Sequence, residues 1–192
     1  MKDFIFTSSF GHSWHQFPFN KDLEKFALKL EKNFPSIVRS NHNGYHSDYL
    51  DIHVPLIKKF YDAIKPAVYD YTKSLNIEKP YDLHFNKPWF NVNRKGASNM
   101  AHNHPANFLA ATYYVKTPPR CGDLCFISPR CPNLFNIQYS TYTNENSSFW
   151  KVAPKEGKLI IFPADKLHSV ETNQSIKPRI SLSFNINIQQ GN

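Results

Sequence analysis

Two histidines, His102 and His104, stand two residues apart in the segment Asn99-Met100-Ala101-His102-Asn103-His104-Pro105. In extended backbone, alternate side chains point to the same face, so this spacing offers two imidazoles to one point and suits a shared metal ion. A third histidine, His168, lies just beyond the apolar run Gly157-Lys158-Leu159-Ile160-Ile161-Phe162 and the turn Pro163-Ala164-Asp165. A third imidazole can therefore arrive from a separate strand. An isolated His-x-His is more often a pair of polar loop residues, here beside Pro105. The pair gains weight from the residues downstream of it.

Arg179 opens a strictly alternating segment in which Ile180, Leu182, Phe184, Ile186 and Ile188 share one face and Arg179, Ser181, Ser183 and Asn185 share the other. In a barrel, the polar face lines the interior. A guanidinium binds a carboxylate through two parallel charge-assisted hydrogen bonds, and a hydroxyl two residues along the same face adds a third. Arg179 and Ser181 are thus a candidate carboxylate clamp. Taken alone, Arg179 reads better as a strand-edge arginine in solvent beside Pro178 and Ser181 as part of an ordinary exposed strand face; the ordered set of motifs favours the clamp.

The elements that must position these groups change character along the chain. Leu23, Phe26, Ala27 and Leu30 repeat at helical spacing, with Asn20 as the expected N-cap and Pro35 beyond the end. A second helix is predicted from Pro55, with Leu56, Ile57, Phe60, Ile64, Ala67, Val68 and Tyr71 on one stripe and Pro66 kinking or splitting it. Residues 40–51, polar and carrying Gly44, read as a loop. From about Tyr81 the pattern becomes short β-rich runs: 89–93, 108–115, 123–127, 158–162 and 179–188. Several short strands with no helical pattern between them predict a mainly β sandwich or barrel, with the N-terminal helices on its outer face. With 192 residues the expectation is one domain, a helical portion over about residues 1–80 packed on a β core over about 81–190.

Composition narrows the function classes. The chain is 41% hydrophobic with 16 Phe, 10 Tyr and 3 Trp, enough apolar surface to fold as a globular core rather than remain disordered. No apolar run reaches the ~18–20 residues needed to cross a bilayer, and residues 1–20 lack the pattern of a secretory signal, so a cytoplasmic setting without membrane association is expected. Cys121, Cys125 and Cys131 fit neither a paired zinc motif nor a disulfide framework, which agrees with reduced thiols. Cys125 lies in an apolar run, where packing is its expected use. The net charge of +8 is scattered rather than gathered in a basic run, so nucleic acid is a conceivable partner but not the favoured one.

The order of the motifs, a histidine pair, a distal histidine and then an arginine, resembles the Fe(II)- and 2-oxoglutarate-dependent oxygenase superfamily. The resemblance is narrower to a group of bacterial and phage oxygenases. It rests on Trp89-Phe90-Asn91-Val92-Asn93 with Gly96, His102-Asn103-His104-Pro105 followed by Leu109 to Val115, Gly122-Asp123-Leu124 leading to Pro129-Arg130, Gly157 to His168, and Arg179-Ile180-Ser181-Leu182-Ser183-Phe184-Asn185. It spans about residues 85–188. Each piece is weak, and the ordered set is fairly specific. The resemblance implies a double-stranded β-helix (a jelly roll, cupin-like). It also implies iron and 2-oxoglutarate as cofactors, and hydroxylation or another oxidation of an organic substrate with release of succinate and CO2. By the same resemblance Arg179 and Ser181 hold the far carboxylate of 2-oxoglutarate. Tyr113 or Tyr114 adds a hydroxyl, with Tyr113 carried forward as the candidate. Asn91 and Asn93, on one face of their strand, contact co-substrate or substrate.

One departure bears on the metal. The superfamily's motif is His-x-Asp, which gives two histidines and a carboxylate, and here position 104 is histidine. Three arrangements are open: His102, His104 and His168 together; His102 and His168 with a water; or His104 and His168 with Ala106 at the carboxylate position. The all-histidine set is carried forward. It leaves the site one positive charge richer than usual, which favours an anionic co-substrate. Asp123 and Asp165 are expected at the surface, and His12, His15, His42, His46, His53 and His84 are taken as surface or structural residues. Two other classes remain open from the residues: a cupin-like three-histidine metal protein that does not use 2-oxoglutarate, and a β-sandwich module binding nucleic acid or carbohydrate. No motif names the substrate, small or macromolecular, and a monomer and a homodimer are equally compatible with the sequence.

Overall fold

In the computed structural model of the chain, which describes residues 9–78, 80–128, 139–143 and 146–190, the first apolar period forms helix α1, Asn20–Asn33. Its buried residues are Leu23 and Ala27. The N-cap is Phe19 rather than Asn20, and no side chain caps the helix. Asn20 is committed elsewhere. Its amide nitrogen donates to the Val115 carbonyl at 3.0 Å and its amide oxygen accepts from the Tyr113 hydroxyl at 3.0 Å, so it pins the helix to a sheet instead of capping it.

Helix α2, Pro55–Ser74, begins on a proline, where the missing N–H would have been unpaired anyway. It runs through Pro66 unsplit, and Ile57, Phe60, Ile64 and Val68 along its stripe are fully buried. No helix of the described residues is long and apolar enough to cross a membrane.

The strands are β1 (Gly11–Trp14), β2 (Asn41–His42), β3 (Tyr45–His46), β4 (Tyr81–Phe85), β5 (Trp89–Asn93) and β6 (Ser98–His102), followed by β7 (Leu109–Lys116), β8 (Leu124–Ile127), β9 (Phe149–Val152), β10 (Lys158–Pro163), β11 (His168–Val170) and β12 (Arg179–Gln190). The predicted runs become β5, β7, β8, β10 and β12. Residues 40–51, expected as a loop, contribute β2 and β3, and the N-terminal portion, expected to be helical, supplies three strands including β1. Strands this short carry no readable alternation.

Seven strands form one sheet in the order β1-β10-β7-β12-β5-β3, with β4 also paired to β12, and five form a second in the order β2-β6-β11-β8-β9. From β5 to β8 and again from β10 to β12 the chain steps between the sheets at each strand. All pairings are antiparallel. This winding is the double-stranded β-helix. The outer face of the larger sheet, with Phe90, Tyr113, Ile180, Leu182 and Phe184, packs against both helices in one apolar cluster. A smaller cluster, including Ala110, Tyr114, Leu124, Ile160 and Phe162, lies between the sheets. The expected division of β12 into an apolar and a polar face is realised. Ile180, Leu182, Phe184 and Ile186 enter the first cluster while Ile188, half-buried, is not part of it, and Arg179, Ser181, Ser183 and Asn185 line a cavity between the sheets.

Candidate metal centre and cavity

His102 ends β6 and His168 begins β11, and the two are direct partners in the antiparallel ladder. His104 lies past the end of β6 rather than on it, contrary to the shared-strand expectation. Its backbone N–H donates to the Ala164 carbonyl at 2.8 Å, which ties the loop to the turn before β11. The three side chains still converge: their candidate ligand atoms all lie within 4.8 Å of one another. Ring centroids are 4.2 Å apart for His102 and His168, 5.1 Å for His102 and His104, and 5.2 Å for His104 and His168. No carboxylate of the described residues joins the cluster.

The surroundings prepare these rings for a cation. Nδ1 of His102 lies 2.8 Å from the Met100 carbonyl, and Nδ1 of His168 lies 2.8 Å from the Lys166 carbonyl. A carbonyl oxygen only accepts, so Nδ1 carries the proton in both rings and the Nε2 lone pair is left to coordinate. Burial lowers the pKa of all three. His168 falls to about 3, by burial and by its neighbours His102 and His104, and His104 to about 4, by burial and by His102 and His46. Neutral imidazoles are the ligand form. His102 Nε2 makes one weak contact, 3.4 Å from Ser40 Oγ, which in turn accepts from the Asn99 amide at 3.3 Å. Donor set, tautomers and protonation therefore all fit a divalent transition metal.

The cluster opens on a cavity of about 530 Å³ that also contains Arg179, Ser181, Tyr114 and Asn91. Arg179 is only 2% exposed, and its Nη1 donates to the carbonyls of Cys121 at 3.0 Å and Gly122 at 3.1 Å. Among the described residues no carboxylate forms an ion pair with it, and no Asp or Glu lines the cavity. Burial lowers its pKa, opposed by Tyr114, Cys121 and Asp123, yet a guanidinium stays charged in proteins. A buried cation held by two carbonyls but paired with no anion fits a carboxylate ligand. Ser181 pairs across β12 with Tyr114 of β7, whose pKa burial raises, so its phenol remains a hydrogen-bond donor.

Two expected contacts are displaced. Tyr113 points to the helices, with its ring centroid 5.3 Å from that of Phe60, and it is Tyr114 that lines the cavity. The parity of β7 was open in sequence because both neighbours are tyrosine. Asn93 does not line the cavity; its amide donates to Asn99 Oδ1 at 3.1 Å. Asn91 does line it. Sequence reasoning missed His46, Trp89, Arg39 and Ser40, all in the lining. His46 stacks on Trp89 with centroids 5.6 Å apart and planes 9° apart, and Trp89 lies 5.9 Å from His104. Trp89 was findable, since it shares its strand face with Asn91; His46 depends on the β3–β5 pairing, which leaves no local signal. Asp123 and Asp165 lie outside the cavity, and Asp165 is 75% exposed. Cys121 and Cys125 are free and buried. Cys131, Pro129 and Arg130 lie outside the described residues.

Residues 87–185, just over half of the chain, match the model of a family described as "Putative 2OG-Fe(II) oxygenase". No curated protein sequence matches. The fold is similar to that of a Pseudomonas putida prolyl-4-hydroxylase, at 14% identity and TM-score 0.67, covering 96% of this chain and 95% of that one. It is also similar to the non-heme α-ketoglutarate-dependent epimerase SnoN from nogalamycin biosynthesis, at 13% identity and TM-score 0.69, covering 94% and 76%. A third similar structure is HygX from Streptomyces hygroscopicus with nickel and 2-oxoglutarate bound, at 13% identity and TM-score 0.62, covering 94% and 83%.

Proposed function

Since the chain belongs to the 2OG-Fe(II) oxygenase family, we propose that His102, His104 and His168 hold its ferrous iron and that Arg179, Ser181 and Tyr114 hold the far carboxylate of its 2-oxoglutarate. When bound, the two cofactors couple reduction of dioxygen to decarboxylation of the 2-oxo acid, giving succinate, CO2 and an oxidised organic substrate. The observation that carries the assignment is one cavity with three neutral imidazoles and, in the same lining, a buried guanidinium without an acidic partner among the described residues.

The protein's own part is binding, orientation and electrostatics. The carbonyls of Met100 and Lys166 fix the rings of His102 and His168, and those of Cys121 and Gly122 aim the Arg179 fork. With no carboxylate of the described residues in the lining, the cavity favours a dianionic co-substrate more strongly than a two-histidine, one-carboxylate set would. Buried free thiols at Cys121 and Cys125 support a reducing, cytoplasmic setting.

The assignment is tested by adding Fe(II) and then 2-oxoglutarate without oxygen and following the visible charge-transfer band of the chelate. The band is expected in wild type, absent in His168→Ala, and formed only at higher 2-oxoglutarate in Arg179→Ala. Iron binding with no band at any 2-oxoglutarate concentration would instead be the behaviour of a cupin-like three-histidine protein. Failure to bind iron would sink the metal assignment itself.

A further inference from the structure

Of the histidines that line the cavity among the described residues, His46 alone has no part in the proposed iron site. It lies on β3, only 7% exposed, and is held from several sides. Its backbone N–H donates to Ser36 Oγ at 3.0 Å, and its carbonyl accepts from the Ile37 N–H at 2.9 Å. Its ring stacks on Trp89, with centroids 5.6 Å and planes 9° apart. Its Nδ1 lies 2.7 Å from the Ser47 carbonyl. Ser47 is itself clamped to β5, donating its N–H to the Phe90 carbonyl and accepting the Phe90 N–H on Oγ, both at 2.9 Å. The imidazole is therefore aimed in advance.

A carbonyl oxygen only accepts, so Nδ1 carries the ring proton and Nε2 keeps a lone pair. Burial lowers the pKa of His46, which agrees with the neutral ring. The unpartnered polar side-chain atoms that packing encloses are Tyr45 Oη, Asn91 Oδ1 and Asn185 Oδ1. His46 Nε2 also has no hydrogen-bond partner among the described residues, but it is not one of those enclosed atoms, and it opens on the cavity. An acceptor held this firmly specifies a ligand that donates.

The co-substrate is not that ligand. Near neutral pH 2-oxoglutarate is a dianion whose carboxylate and keto oxygens accept hydrogen bonds and donate none, so it offers nothing to a lone pair. The location agrees. Along the β5–β12 ladder Asn93 lies opposite Arg179 and Trp89 opposite Ser183, and the His46 ring stacks at the Trp89 end, away from the guanidinium. Trp89 is also 5.9 Å from the ring of His104, so His46 stands one ring away from a proposed ligand, where a substrate must come to be oxidised.

We propose that His46 Nε2 accepts a hydrogen bond from the primary substrate, so that the enzyme takes compounds with a hydroxyl or amide N–H at this point and discriminates against their O- or N-methylated forms. A site built to bind an O–H or N–H rejects the analogue without it, because its own polar atom is then left unpaired. The proposal rests on the oxygenase reading, which supplies the need for a substrate beside the histidines.

The test follows the imidazole nitrogen resonances of His46, identified by their loss in His46→Phe. Spectra of the full chain are recorded metal-free, with Zn(II), and with Zn(II) and 2-oxoglutarate. Ethylene glycol and N-methylacetamide are then titrated in, each against its methyl-capped counterpart, dimethoxyethane or dimethylacetamide. The donors are expected to shift the Nε2 resonance and to bind about two- to tenfold tighter than the capped probes, the range a neutral hydrogen bond supplies. His46→Gln, which keeps an acceptor at similar reach, should retain that preference. His46→Phe, which keeps a stacked ring without the acceptor, should lose it. An Nε2 resonance unmoved by the donors, equal binding of the capped probes, or a preference that survives in His46→Phe overturns the proposal. So does an Nε2 resonance that Zn(II) alone moves to the range of a metal-bound nitrogen, since the lone pair would then serve the metal. The chelate band keeps the two readings apart: its absence defeats the cofactor assignment, and an unmoved Nε2 in a protein that forms the band defeats only this inference.

Discussion

In the larger sheet, β5, β7, β10 and β12 run for 5, 8, 6 and 12 residues and press a continuous apolar face against two helices. In the smaller sheet, β6, β8 and β11 run for 5, 4 and 3 residues and share only the small cluster between the sheets. The proposed metal ligands His102 and His168 sit on the smaller sheet, and the proposed carboxylate clamp sits on the larger. Buried imidazoles and their obligatory hydrogen bonds fit poorly in a dense apolar layer, where each polar atom would need a partner. A lightly packed sheet bordering a cavity accommodates them at less cost. The guanidinium, proposed to hold a ligand whose other end must reach the iron, is held on a strand whose opposite face is anchored in the main apolar cluster. The comparison predicts that stability and chemistry respond to different substitutions.

The largest expected effect is on stability. Phe184 is fully buried on the outer face of β12, among the rings of Phe60, Tyr61 and Phe85. Phe184→Ala should cost about 3–5 kcal/mol in denaturant unfolding while the folded fraction still forms the iron chelate band. His168→Ala should do the converse. Iron affinity should fall by more than the ~10–100-fold that loss of a hydrogen bond supporting a ligand costs, with thermal unfolding of the metal-free protein close to wild type. If His168→Ala instead unfolded the protein, the smaller sheet would carry more of the stability than its packing suggests.

The same contrast explains what could be read in advance. The larger sheet announces itself through apolar alternation, and β5 and β12 begin at the expected residues Trp89 and Arg179. Both helices are visible in the 3.6-residue period of Leu23 and Ala27 and of Ile57, Phe60 and Ile64. The smaller sheet is nearly silent. Strand β6, Ser-Asn-Met-Ala-His, has no apolar period, and β2 and β11 exist because neighbours pair with them rather than because their side chains seek burial. The three histidines were nevertheless legible, because chemistry is written in residue type and spacing even where the strand is not. The choice between Tyr113 and Tyr114 was settled by tertiary packing, with Phe60 taking Tyr113 to the helix side.

Gly122 is where the two sheets meet the clamp. It has φ +85°, a Cβ there would lie 2.2 Å from the Glu171 carbonyl oxygen, and its own carbonyl accepts from Arg179. An alanine cannot fit without moving that carbonyl. Gly122→Ala should therefore weaken 2-oxoglutarate binding about tenfold, the lower end of what a hydrogen bond to a charged group supplies, with iron affinity unchanged. A loss of iron affinity of the same size would show that the loop before β8 holds the metal-bearing sheet rather than the guanidinium.

The smallest effect probes the metal side alone. Ser40 Oγ lies 3.4 Å from His102 Nε2, the atom proposed to ligate, and Nδ1 of that ring is already committed to the Met100 carbonyl. The hydroxyl therefore donates to the lone pair that the metal needs, and the contact must be given up on binding. At 3.4 Å it is weak, and a neutral hydrogen bond contributes only about 0.5–1.5 kcal/mol, so relief is worth at most about tenfold in affinity. Ser40→Ala should bind iron slightly more tightly in a competition titration, by roughly two- to tenfold, with 2-oxoglutarate affinity unchanged. Weaker iron binding would instead mean that Ser40 holds the His102 ring in its ligating position, and that the smaller sheet depends on the segment preceding β2 to keep its histidines aimed.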